Sequence, residues 1–118
     1  MYTAGSGSPY AATATIYESS VSNEVSSGGG SGYTTGGVAL ASQAVATGTG
    51  TATVDFANLT FSSATFGAAY GVIYNDDKSD KLCVVLDFGG TKTATNGDFT
   101  IVFPDPSTPA NAIISLTS

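Results

Sequence analysis

Thr51-Ala52-Thr53-Val54-Asp55-Phe56 is the stretch that decides the fold class. Ala52, Val54 and Phe56 alternate with Thr51, Thr53 and Asp55. A period of two puts the two sets on opposite faces of an extended chain. The alternation predicts a half-buried antiparallel strand with Ala52, Val54 and Phe56 turned to the core. Gly48-Thr49-Gly50 before it reads as a turn. Val38 to Ala46 reads as the partner strand, with Val38 and Leu40 as its best apolar alternates.

The pattern recurs on both sides. Tyr10 to Tyr17 sets Ala12, Ala14 and Ile16 against Thr13 and Thr15. Asn58 to Phe61 adds a short element with Leu59 and Phe61. Phe66 to Tyr74 sets Phe66, Ala68, Tyr70, Val72 and Tyr74 against Gly67, Ala69, Gly71 and Ile73, whose glycines suggest a bulge or the close approach of another backbone. Leu82 to Phe88 is apolar on both faces except at Asp87, which predicts a central strand ended by Gly89-Gly90. Cys83 in that run reads as a small buried hydrophobe. Asp98 to Phe103 turns Phe99, Ile101 and Phe103 inward until Pro104, Pro106 and Pro109 break the pattern. Asn111 to Thr117 closes the chain with Ala112, Ile114 and Leu116 on one face. The Ser/Gly-rich segment Ser19 to Gly37 reads as a long loop or hairpin tip, and Asn75 to Lys81 as a charged loop.

The sum is an all-β chain: an antiparallel β-sandwich or barrel of about seven strands, with turn signals roughly every ten residues. Residues 1–9 are small and polar, which predicts an extended N-terminal arm or a loose terminus. The 118 residues suit a single β domain over 1–118. Folding at this size buries about 65% of the extended chain's surface, enough for a modest core.

Charge narrows the functional classes. Only 10% of residues are charged and the net charge is −6. Thr, Ser, Ala and Gly replace the usual Lys and Glu, giving a surface that loses little on leaving water and suits packing against neighbours. The basic residues are Lys78, Lys81 and Lys92, with no Arg. Nucleic-acid and anionic-membrane partners are therefore not expected, since both need clustered cations.

No constellation in the sequence points to catalysis, so no enzyme is expected, and neither a metal nor a cofactor. Histidine is absent, which removes the commonest general base and metal ligand. Asp87 interrupts an apolar strand and is the one carboxylate worth testing for acid–base work. Its plainer reading is a strand-end carboxylate that accepts N–H groups of the following glycine turn. Asn75-Asp76-Asp77-Lys78-Ser79-Asp80 has alternating oxygen ligands but lacks the glycine and the later Glu of a calcium loop. The remaining acids fall in turns or on outward faces. Tyr70 and Tyr74 share a strand face with Val72 and read as core. Tyr2, Tyr10 and Tyr33 lie in or beside weakly structured segments. With Pro9, they are the candidate partner contacts.

Four segments also carry a family resemblance. They are Ser22-Asn23-Glu24-Val25 with Gly32-Tyr33-Thr34-Thr35-Gly36-Gly37-Val38-Ala39-Leu40; Ala69-Tyr70-Gly71-Val72-Ile73-Tyr74; Val84-Val85-Leu86-Asp87-Phe88-Gly89-Gly90; and Lys92-Thr93-Ala94-Thr95-Asn96-Gly97-Asp98-Phe99-Thr100-Ile101. In this order, from about Val21 to the C-terminus, they resemble an NEV…GYTxGG signature of small structural proteins of tailed bacteriophages. The resemblance implies a virion protein: a head decoration or cement protein, or a fibre-like one. It implies a capsid-surface location after synthesis in the host cytoplasm, with the major capsid protein as partner. It also implies a homo-oligomer, for which a trimer suits three-fold positions. The alternative it leaves is a tail or fibre module that binds host-surface glycan. Family members begin with a longer strand-rich segment, whereas the part before Ser22 is short here. That departure points to a lost strand, or to an arm that completes a neighbour's sheet.

Overall fold

The computed structural model describes residues 1–5, 8–11, 13–18, 21–104 and 113–117. The chain is all-β among these residues. The strands are β1 (Ala44–Gly48), β2 (Thr51–Asp55), β3 (Leu59–Asn75), β4 (Lys81–Ile101) and β5 (Ile114–Thr117), with a single 3-10 turn, Asp76–Lys78, between β3 and β4. It divides into two compact units, Met1–Gly37 with Ser62–Phe99, and Val38–Phe61 with Thr100–Ser118.

Among the described residues the strands are fewer than the sequence predicts; β3 and β4 are longer, whereas the expected strand Val38–Ala46 is formed only from Ala44 onward, as β1. Asn58–Phe61 and Phe66–Tyr74 fuse into β3, and Leu82–Phe88 and Asp98–Phe103 lie largely within β4. Gly89 and Gly90 do not end a strand. β4 runs on through them with φ values of +69° and +121°, which glycine adopts without a Cβ clash. Asp87 matches its plainer reading: its Oδ1 accepts the Gly89 N–H at 2.8 Å.

In the first unit, β3 and β4 form a hairpin, and the N-terminus is not an arm. Tyr2 donates its N–H to Tyr70 O at 2.9 Å and accepts from Ala69 N–H at 2.8 Å. On its other side, Thr3 N–H reaches Asn23 O and Val25 N–H reaches Met1 O, both at 2.9 Å. Residues 1–3 therefore lie as an antiparallel ribbon between β3 and residues 23–25. The backbone groups that the arm reading offers to a neighbour are spent on the chain's own sheet edge. Tyr10–Tyr17 is not a full strand either; only Ile16 bridges, to Lys81 at the start of β4. Ala12 lies outside the described residues, as do Pro106, Pro109 and Ala112. An aromatic chain fills the interior: Tyr33 meets Phe66 (5.8 Å between ring centroids), Phe66 meets Phe99 (4.8 Å), and Phe99 meets Phe88 (6.3 Å). Cys83 is exposed, contrary to expectation. The described residues hold no strand layer over that face of β4, so Cys83 and Val85 face outward while Leu82, Val84, Leu86 and Phe88 are half-buried.

In the second unit, β1, β2 and β5 form an antiparallel sheet in that order. The register aligns Val45 with Val54 and Ile114, and Thr47 with Ala52 and Leu116, so these six share a face. Burial does not follow the alternation: Thr53, expected to point outward, is the buried residue of β2, while Ala52 and Val54 are half-buried like Thr51 and Asp55. Thr53 is 2% exposed, while Val45 is 62% and Leu116 70% exposed. Thr53 is tolerated inside because its Oγ1 donates to Ala46 O at 3.5 Å, a long bond. Phe56 and Phe103 pack together at 5.8 Å, and Asn58 Oδ1 takes the Phe103 N–H at 2.9 Å.

Candidate functional site

The densest polar constellation gathers around Glu24. It is built from the segments that carry the signature, Asn23-Glu24-Val25 and Gly32 to Gly37. Asn23 adopts φ +77°, a conformation that its short amide side chain tolerates. This backbone leads Glu24 into the bridge to Tyr2. The half-buried carboxylate accepts three hydrogen bonds. Tyr33 Oη donates to Oε1 at 2.8 Å, the Gly36 N–H to Oε1 at 2.8 Å, and Tyr17 Oη to Oε2 at 3.1 Å. Gly36 sits at φ +90°, which L side chains rarely adopt. That turn aims its N–H at the carboxylate and its carbonyl at Tyr74, whose Oη donates to it at 2.7 Å.

The tyrosines hold one another. Tyr17 and Tyr74 stack at 4.4 Å with planes 9° apart, and Tyr2 meets Tyr10 edge-on at 5.7 Å. The Tyr2 and Tyr10 hydroxyls share a 3.0 Å hydrogen bond, and Tyr10 Oη accepts the Glu18 N–H at 3.1 Å. The Met1 amino group donates to Tyr33 Oη at 2.8 Å. Burial lowers that amine to about 6, against a partial pull upward from Glu24. Burial also raises the phenols of Tyr2, Tyr17, Tyr33 and Tyr74 above their ordinary range. Hydrogen bonding to Tyr10 adds to this at Tyr2, the negative charge and hydrogen bond of Glu24 at Tyr17 and Tyr33, and Asp76 and Asp80 at Tyr74.

The cluster is an internal staple. It ties Tyr17, Tyr33, Gly36 and the Met1 amino group to one carboxylate through direct hydrogen bonds and through Tyr33. Of the predicted partner contacts, Tyr2, Tyr10 and Tyr33 are 0%, 7% and 4% exposed. This corrects the expectation that they face a partner: each spends its ring and hydroxyl inside the chain. Pro9 is half-buried. The structure brings Tyr2, Tyr10 and Tyr33 into one network and adds Glu24, which sequence reasoning placed among the outward acids. The signal for it was present as two acids, Glu18 and Glu24, between the tyrosines at positions 17 and 33, but only folding shows which of them the tyrosines converge on.

Among the described residues, Ile16, Val38, Val85 and Val102 are exposed apolar side chains, as are Val45 and Leu116, which share one face of the three-stranded sheet. No charged residue occurs between Val25 and Val54, so β1 and nearly all of β2 are neutral. Among the described residues there is no group of three or more His, Cys, Asp or Glu that could hold a metal ion, and no helix long and apolar enough to cross a membrane. No family model matches this chain, and no curated protein or solved structure matches it either.

Proposed function

We propose that this chain is a bacteriophage capsid decoration or cement protein, a β-sandwich-type module without catalytic turnover. It binds the outer surface of the shell through the major capsid protein and stabilises it. The observation that carries the reading is the exposed, uncharged face around Val45 and Leu116, at 62% and 70% exposure. Apolar surface of this kind contributes about 25 cal/mol per Å² when a partner covers it. Neutral neighbours add little desolvation cost. Repetition over a symmetric shell multiplies a modest single contact. The glycan-binding alternative draws on exposed tyrosines; Tyr2, Tyr10 and Tyr33 are buried, so we do not adopt it.

The test adds purified protein to phage particles that lack it. Co-sedimentation with the particles and a higher temperature of shell breakage are expected, and both should weaken with Leu116→Asp. Particles that neither bind the protein nor gain heat resistance would overturn the proposal. Binding confined to tails, seen by electron microscopy, would overturn it as well.

A further inference from the structure

We infer that two copies of this chain pair edge to edge through β1, joining their three-stranded sheets into one of six strands. Every residue of β1 is exposed. Its sequence, Ala44-Val45-Ala46-Thr47-Gly48, contains no Lys, no Pro and no inward-pointing charge. Those are among the devices with which sheet proteins block an edge, and β1 carries none of the three. β1 is the outer strand of its sheet, so among the described residues its outward-facing backbone donors and acceptors have no strand partner.

Electrostatics permits a second copy as the occupant at this edge, and topology then favours it. The chain carries −6 overall, so most approaches of one molecule to another set carboxylate against carboxylate. The β1 edge is an exception. Full overlap of the five-residue strand with its antiparallel twin centres the two-fold axis on Ala46, sets Val45 opposite Thr47 of the other copy, and sets Ala44 opposite Gly48. The nearest acid in the sheet is Asp55, beside Ala44 in the register. In the pair, the two Asp55 positions lie about 20 Å apart, from strand spacing and rise. That is well beyond the screening length of about 8 Å at physiological ionic strength. Topology selects the joint. β1 and β5 are parallel to each other within the sheet. A head-to-tail β1–β5 contact would therefore be a parallel pairing that does not close, whereas β1–β1 is antiparallel and closes at two. The joint uses the strand edge and leaves the Val45–Leu116 face open. It therefore stands apart from the shell-binding reading.

A five-residue edge buries less than the roughly 1,200 Å² of a standard interface, so the dimer should dissociate on dilution. Sedimentation velocity from micromolar to millimolar protein should show monomer passing to dimer. Val45→Lys, at an exposed position, should raise the dissociation constant about tenfold or more while circular dichroism stays unchanged. Crosslinking reads the register. On a Cys83→Ser background, Ala46→Cys places the two Cα atoms about 5 Å apart across the axis, within disulfide range. Val45→Cys places them about 8 Å apart, outside it. Diamide, which takes up the two thiol hydrogens, should link the Ala46→Cys protein and leave the Val45→Cys protein largely monomeric. Monomer at every concentration, a trimer, or equal linking at both positions would each overturn the pairing.

Discussion

Removing the Glu24 carboxylate is the sharpest perturbation of this fold. Glu24→Ala takes the acceptor from three donors at once: Tyr33 Oη, the Gly36 N–H and Tyr17 Oη. Tyr17 is only half-buried and can turn to water. Tyr33 is 4% exposed, and Gly36 is held by its turn, so these two donors are left with poor replacements. An orphaned buried donor costs about 1–3 kcal/mol, so the loss should be about 3 kcal/mol. Glu24→Gln keeps the shape and one acceptor oxygen, and should lose about 1–1.5 kcal/mol. Urea unfolding followed by circular dichroism measures both. With a slope near 1.5 kcal/mol per molar, Glu24→Ala should lower the midpoint by about 2 M. A midpoint within about 0.3 M of the parent would refute the staple, because the three bonds would then contribute nothing beyond what water supplies.

Alkaline titration provides a second check. Tyr2, Tyr17, Tyr33 and Tyr74 are held above the ordinary phenol value of 10.0. A raised folded-state pKa gives stability that is complete below 10 and falls as pH rises above it. The buried pair Tyr2 and Tyr33 should each remove up to about 1.4 kcal/mol per pH unit. Phenolate absorbance of these four should therefore appear together with loss of the circular dichroism signal; ordinary titration of all six tyrosines in a still-folded chain would contradict the burial argument. Two glycines separate backbone strain from packing. Gly29 and Gly32 both have positive φ, +69° and +72°. A Cβ at Gly29 meets nothing within 4 Å, whereas one at Gly32 lies 3.0 Å from both Ala64 Cα and Ser62 O. Gly29→Ala should cost about 1 kcal/mol and Gly32→Ala about 3 kcal/mol or more, and equal losses in urea unfolding would show that the close approach is unimportant.

Much of the fold is legible in the residues. Alternation in Thr51–Phe56, Phe66–Tyr74 and Leu82–Phe88 marks strands, and each stretch lies almost wholly within one. The charged turn at Asn75–Lys81 and the hydrogen bond from Gly89 to Asp87 also follow from local chemistry. The passage of β4 through Gly89-Gly90 is not legible, because a glycine pair inside a long strand and one that ends a strand share one local signature. The candidate site is legible only as a list of tyrosines. Their segments look like a loose terminus and a glycine loop, and nothing local tells a tyrosine that waits for a partner from one that already has it.

Strand character and neutrality belong to the sequence alone, because period-two alternation and missing charge act on residues near one another. Which face is buried belongs to the tertiary structure. Thr53 goes inside at 2% exposure while Val45 and Leu116 stay out at 62% and 70%, since burial depends on what other segments bring to each side of the sheet. The fate of the N-terminus is decided in the same way: Tyr2 finds Tyr70 and Glu24 across long stretches of chain, and only closing those loops satisfies its backbone and hydroxyl together.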